Sequence, residues 1–127
     1  MKFKDTKYGD LSGQKYYGDI NVSELGLTSL EGSPKIVNGH FFCDDNNLTS
    51  LEFAPESVSG IFNCLDNKLT SLKGAPKIKK GGDFICVGNS NEHLPREYEL
   101  RKKNPKLSED EIYSAMYELT NNEIYKK

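Results

Sequence analysis

Tryptophan is absent from this 127-residue sequence, and histidine occurs only twice, at His40 and His93. Neither histidine has a Ser, Cys or Asp partner at a recognisable spacing, so neither is expected to carry out catalysis. Cysteine is scarce and odd in number, three residues with no Cys-x-x-Cys pair. The N-terminus MKFKDTKYGD also lacks the apolar core of a secretion signal, so reduced thiols are expected rather than a disulfide framework. No apolar run approaches a membrane span, and the expected location is the cytoplasm. A clear excess of one charge is missing as well. A formal net charge of -2 argues against a dedicated nucleic-acid binder, although Lys77, Lys79 and Lys80 form a local basic patch.

What is present is a repeat. Leu27-Thr28-Ser29-Leu30, Leu48-Thr49-Ser50-Leu51 and Leu69-Thr70-Ser71-Leu72 recur with a period of 21, and Pro34, Pro55 and Pro76 keep step with them. Gly39, Gly60 and Gly81 do the same, and one period back lies Gly18, so GDINVSELGL is an earlier, degenerate copy. Cys43 and Cys64 hold the period, and Cys86 arrives one residue late because Gly81-Gly82 carries an insertion. Four strand-like segments follow, at 19–23, 40–44, 61–65 and 83–87. The glycines fall at strand starts rather than before a helix, so they read as turn punctuation and not as a phosphate-cradling loop.

Side chains alternate across a strand, which assigns the faces. Ile20, Phe41, Phe62 and Phe84 make one inward column, and Val22, Cys43, Cys64 and Cys86 make the next. The paired leucines of each copy fill the remainder. No single unit can bury such a face alone, so the units are expected to stack into one continuous core. Asn46, Asn67 and Asn89, three residues after the cysteines, read as a ladder whose amides satisfy backbone groups at the turn. Parallel, stacked sulfurs do not converge on a point, so the cysteines are expected to be small buried hydrophobes rather than metal ligands. No cofactor is expected.

The pattern N-x-Leu-Thr-Ser-Leu-x-x-x-Pro-x-x-Val-x-Gly-x-Phe-x-Cys-x-x-N resembles the leucine-rich repeat, in a short variant found in bacterial and bacteriophage proteins. It is also similar to the Leu-Pro-type repeats of enteric effector proteins. The resemblance runs from about Gly18 to Asn89, and Phe and Cys in place of two leucines favour the phage-like variant. It implies an α/β fold: a right-handed solenoid with one parallel sheet of about four strands on its concave side. The connections around the prolines would be extended or turn-rich.

If Phe41 and Cys43 point inward, then His40, Phe42 and Asp44 point outward, followed by Ile61, Asn63 and Leu65, and by Asp83, Ile85 and Val87. Phe42, Ile61, Leu65, Ile85 and Val87 would form an apolar patch rimmed by Asp19, Asp44, Asp45, Asp66 and Asp83, the composition of an interaction site. The alternative is that a terminal segment folds over the patch and hides it.

Both ends of a solenoid need covering. All seven tyrosines belong to the terminal segments, which sets the ends apart from the middle. Residues 1–17 are expected to cap the first coil with Phe3, Tyr8, Leu11, Tyr16 and Tyr17, leaving residues 18–91 as the solenoid. Residues 92–127 read as a helical cap. One helix is predicted from Pro95 to Lys103, stopped at Asn104-Pro105. A second begins at Ser108 with a capping box to Glu111 and a staple of Leu107 with Ile112. Ile112, Met116 and Leu119 would line one of its faces, with Tyr113 and Tyr117 beside them.

The expected function is a non-enzymatic protein-interaction module. The resemblance implies a small phage or prophage protein that binds and inhibits or modulates a host defence protein in the host cytoplasm. Two alternatives are a virion structural or assembly component and a remnant of an effector-type ubiquitin ligase. The ligase reading is disfavoured, because such proteins carry a separate large catalytic domain with a reactive cysteine, and no cysteine follows Cys86.

Overall fold

The computed structural model describes residues 1–116. The chain winds into a β-solenoid of about three turns, with parallel strands stacked about 21 residues apart and two helices after them. The strands are β1 (Lys15–Tyr17), β2 (Ile20–Asn21), β3 (Ile36–Asn38), β4 (Phe41–Phe42), β5 (Ser57–Val58), β6 (Ile61–Asn63), β7 (Lys77–Ile78) and β8 (Asp83–Ile85). Helix α1 is Leu94–Lys103, and helix α2 begins at residue 109 and is described to residue 116.

Each coil contributes two short strands, which sort into two four-stranded parallel sheets, β1-β3-β5-β7 and β2-β4-β6-β8. The second of these is the expected sheet. The first lies where extended or turn-rich connections were expected, and β1 falls inside the segment assigned to the N-terminal cap. Each of its coils sends one apolar side chain inward from this sheet, Tyr16, Val37, Val58 or Ile78, without the second inward column that marks the other sheet, which is why it is faint in the sequence. Pairing keeps a 21-residue step through Ile20, Phe41 and Phe62. Ser57 then pairs with Lys77, twenty positions on, and Ile61 with Asp83, twenty-two on, so the extra residues lie between β7 and β8.

The corners have local causes. Ser29, Ser50 and Ser71 each accept through Oγ from the backbone N–H two residues later, at 3.0, 3.3 and 3.0 Å. The repeated Leu-Thr-Ser-Leu is therefore two buried leucines, one exposed threonine and one serine that closes a turn. Gly39, Gly60 and Gly82 stack over one another so closely that an added Cβ would strike the previous coil's backbone or, at Gly60, the His40 ring. The tight slot is thus Gly82, and Gly81 lies in open space.

All eight residues of the two inward columns are buried, as are the six leucines. The phenylalanines stack ring on ring: Phe41 on Phe62 at 5.4 Å and Phe62 on Phe84 at 5.3 Å between centroids. The stack continues past the repeats at both ends. Phe3 lies 6.0 Å from Phe41, and Tyr98 of α1 lies 4.6 Å from Phe84. Offset aromatic stacking adds to the area buried, so one column threads cap, solenoid and helix into a single core.

The N-terminal segment covers the first coil. Phe3 is fully buried, its N–H bonds Ser29 O at 3.1 Å, and Lys2 and Lys4 both reach Glu31. Tyr8, Leu11 and Tyr16 pack against the core, but Tyr17 is 74% exposed and supplies no covering area. At the other end, α1 starts at Leu94, one residue before the predicted start, and buries Leu94 and Glu97. In α2 the Ser108–Glu111 capping box forms and Ile112 is buried, whereas Tyr113 is exposed. Tyr117 and Leu119 lie outside the described residues.

Candidate functional site

The parallel register places the outward side chains of β2-β4-β6-β8 in three rows. Asp19, His40, Ile61 and Asp83 make the first; Asn21, Phe42, Asn63 and Ile85 the second; Ser23, Asp44, Leu65 and Val87 the third. Neighbours in a row are about 4.8 Å apart, the spacing of adjacent strands. Asn63 therefore sits at the centre of a ring, with Phe42 and Ile85 on either side and Ile61 and Leu65 before and after it. All nine expected outward residues share this face. Most are half-buried by their neighbours; Asp83 is exposed, and Val87 is 52% exposed.

Polar members of the face are largely committed to the backbone. Asp19 Oδ1 accepts from His40 N–H at 2.8 Å, and His40 Nδ1 accepts from Ile61 N–H at 2.8 Å. That bond leaves His40 with its ring proton on Nε2 and its ring tilted against Phe42, 5.6 Å away. Asn63 Oδ1 accepts from Leu65 N–H at 3.0 Å, and Asp83 Oδ1 from Phe84 N–H at 2.8 Å. Asp45 has its carboxyl held above the usual range by a hydrogen bond with its neighbour Asp44. What faces outward is thus apolar surface edged by carboxylates, with no Lys or Arg in the three rows.

The asparagine ladder is structural. Asn46 Oδ1 accepts from Leu27 N–H at 2.8 Å while its Nδ2 donates to Val22 O and Cys43 O at 2.9 and 3.0 Å. Asn67 and Asn89 repeat the arrangement one and two coils on. Each amide joins two successive coils at the turn. The three cysteines are free and buried. Burial drives the thiols of Cys43 and Cys64 well above their ordinary pKa, and burial with the nearby Glu97 pushes Cys86 up to about 11. Thiolate is the nucleophile, so at neutral pH these sulfurs are poor nucleophiles. Among the described residues no group of three or more His, Cys, Asp or Glu side chains is placed to hold a metal ion. No helix among them is long and apolar enough to cross a membrane.

Two hollows lie at the C-terminal end. A cleft of about 680 Å³ opens between the last coil and the two helices, lined by His93, Glu97, Arg101, Glu109 and Tyr113 among others. Three of its charged groups pair with one another: Glu97 Oε2 accepts from Leu72 N–H at 2.7 Å and from Arg101 Nε at 2.9 Å, and Arg101 holds Glu109 with two bonds of 2.9 and 2.8 Å. A smaller groove of about 260 Å³ runs between β8 and α1.

Two features were not read from the sequence. Glu97 caps the last coil, a role with no sequence signal, because it depends on where α1 docks. Phe53 is the other. It adopts φ 70°, in the slot where the neighbouring copies carry Gly32 and Gly74, and it is 51% exposed. Aligning the copies shows that substitution directly. Bulky residues in this region of backbone space are strained.

Comparison with known proteins returns no match: no family model, no curated protein and no solved structure matches this chain.

Proposed function

We propose that the protein is a non-enzymatic binding module that holds a protein partner against the outward face of the sheet β2-β4-β6-β8. The apolar ring around Asn63, edged by Asp44 and Asp83 and without a basic residue, carries this reading. Apolar patches with polar rims are the ordinary form of an interaction site. The matching partner surface is an apolar protrusion with basic groups around it, which the face would meet with complementary charge. The buried, protonated cysteines and the backbone-bound histidine and asparagines favour binding over chemistry. The likeness to short leucine-rich repeats of bacteriophage supports a narrower form, in which the partner is a host defence protein that this module inhibits or modulates in the host cytoplasm.

The test is recovery of partners from bacterial lysate by the native protein and by the double variant Phe42→Asp with Leu65→Asp, both checked for equal melting. Partners captured by the native protein and lost by the variant support the outward face. Equal recovery by both overturns it.

A further inference from the structure

Among the described residues no strand follows β8 in the sheet β2-β4-β6-β8. In each earlier coil the inward residue after the strand start donates its N–H forward: Val22 to Phe42 O at 2.8 Å, Cys43 to Asn63 O at 2.8 Å, and Cys64 to Ile85 O at 2.9 Å. By the same step Cys86 N–H points toward a fifth strand, and among the described residues nothing accepts from it. Cys86 is only 4% exposed, so this donor lies at the floor of the 260 Å³ groove rather than on open surface. Buried backbone N–H groups are almost always paired, which marks this one as a place for a ligand. The groove is bounded by Asp83, Ile85 and Val87 on the strand and by Pro95, Tyr98 and Glu99 on α1.

The opposite edge of the same sheet is closed. Tyr8 Oη accepts from Asn21 N–H at 3.0 Å, and Asn21 Oδ1 accepts from Ser23 N–H at 3.0 Å. Head-to-tail addition of a second copy is therefore blocked at β2. Edge-to-edge pairing of two copies would gather two carboxylates from each, Asp83 and Glu99, at one seam, which like-charge repulsion disfavours. The occupant that fits is an extended segment of a different protein.

We propose that β8 takes such a segment as a fifth parallel strand, seated in the groove against α1. Main-chain pairing supplies the attachment and alternate side chains the selectivity. One residue of the incoming strand would bond twice, its N–H to Phe84 C=O and its C=O to Cys86 N–H, as Phe42 does one coil after Ile20 and Val22. That residue lies beside Ile85 and is apolar. The residue before it enters the aromatic column, where the Tyr98 ring already stands 4.6 Å from Phe84, so it must be small. The one before that faces Asp83 and Glu99 and is basic. The residue after the doubly bonded one continues the Val22–Cys43–Cys64–Cys86 column and is again small, and the next is apolar, beside Val87. The recognised pattern is basic–small–apolar–small–apolar. This site shares Asp83, Ile85 and Val87 with the outward face but is attached through the backbone of Phe84 and Cys86, which the face does not use, so either could fail without the other.

The experiment titrates the isotope-labelled full chain with an end-blocked peptide containing Lys-Ala-Val-Ala-Val, following amide shifts and hydrogen exchange. The expected result is saturable binding with slowed exchange at Cys86, weakened about tenfold when the first valine is N-methylated or when Glu99 is changed to Lys. The Phe42→Asp, Leu65→Asp variant is expected to bind the peptide as the native protein does, separating this site from the face. Equal binding of the N-methylated peptide overturns strand addition. So does protection of the Cys86 amide in the free monomer, which would mean the chain already covers its own edge. Protection that rises only with protein concentration, alongside a dimer in sedimentation, assigns the edge to a second copy and overturns the proposal equally.

Discussion

The two ends of the solenoid meet the same physical demand in different ways. Each must cover the last phenylalanine of a stacked column and satisfy the backbone of a terminal coil. The N-terminal segment runs along its coil through one 3-10 turn at Phe3–Asp5, places Phe3 on the column, and gives Tyr8 Oη to the strand edge. The C-terminal end uses a helix, which places Tyr98 on the column and Glu97 on Leu72 N–H. A helix can offer rings and carboxylates to the end of a coil, but its own N–H and C=O groups are already paired along its axis. Among the described residues nothing accepts from Cys86 N–H at the edge of β8. The irregular N-terminal cap reaches the strand edge with a tyrosine hydroxyl; the helical cap covers the core.

The largest effect that would break this comparison is loss of Phe3, which is fully buried. Phe3→Ala is expected to cost about 3–5 kcal/mol, the usual range for a buried phenylalanine. Tyr98→Ala, at a half-buried ring, should cost clearly less, and denaturant melts of the two variants measure the difference. Equal costs would mean that the two caps carry equal weight.

Next comes Glu97→Ala, which leaves Leu72 N–H unpaired and removes one partner of Arg101. A loss of about 2 kcal/mol is expected, typical of a charged hydrogen bond made to a buried donor. Glu97→Gln should recover part of it, because an amide oxygen still accepts from Leu72. A loss in the glutamine variant as large as that in the alanine variant would argue that charge, not capping, is what matters.

Acidification acts on both caps with the same sign. Hydrogen bonds from Lys4 and Lys2 hold Glu31 below the usual carboxylate range, and bonds from Arg101 do the same for Glu109. Depressed carboxylates contribute stability that is present above their unfolded pKa and is lost as pH falls through the folded one. Stability should thus be level near neutrality and decline as pH drops below 4.5, the ordinary value for these groups. Thermal melts across that interval check it. Replacing Glu31 and Glu109 by Gln should flatten the decline.

The smallest expected effect is at Phe53. Phe53→Gly relieves left-handed backbone strain of about 1–2 kcal/mol and adds unfolded-state entropy of about 0.5–1 kcal/mol. The net should be a gain of about 0–1.5 kcal/mol. A clear loss would show that the exposed ring makes a contact that matters.

Much of this fold was legible in advance because the repeat states the same local solution several times. Phe41, Phe62 and Phe84 share a slot, and so do Asn46, Asn67 and Asn89, and stacking is the arrangement that buries the first set and pairs the second. The sheet of β1, β3, β5 and β7 is faint because Tyr16, Val37, Val58 and Ile78 form a single inward column of mixed residue types, with no second column beside it. The outward residues His40 through Val87 were placed on one face by parity alone, which holds as long as the strands are parallel and in register.

The amino-acid order by itself determined the period, the two inward columns, the asparagine ladder and the serine turns, since each depends on contacts that repeat every coil. Only the tertiary structure decided how the stack ends. Whether Glu97 reaches Leu72, whether Tyr8 closes one edge, and whether Cys86 N–H is left open at the other all depend on how non-repeating segments dock. No neighbouring copy exists from which those contacts could be read.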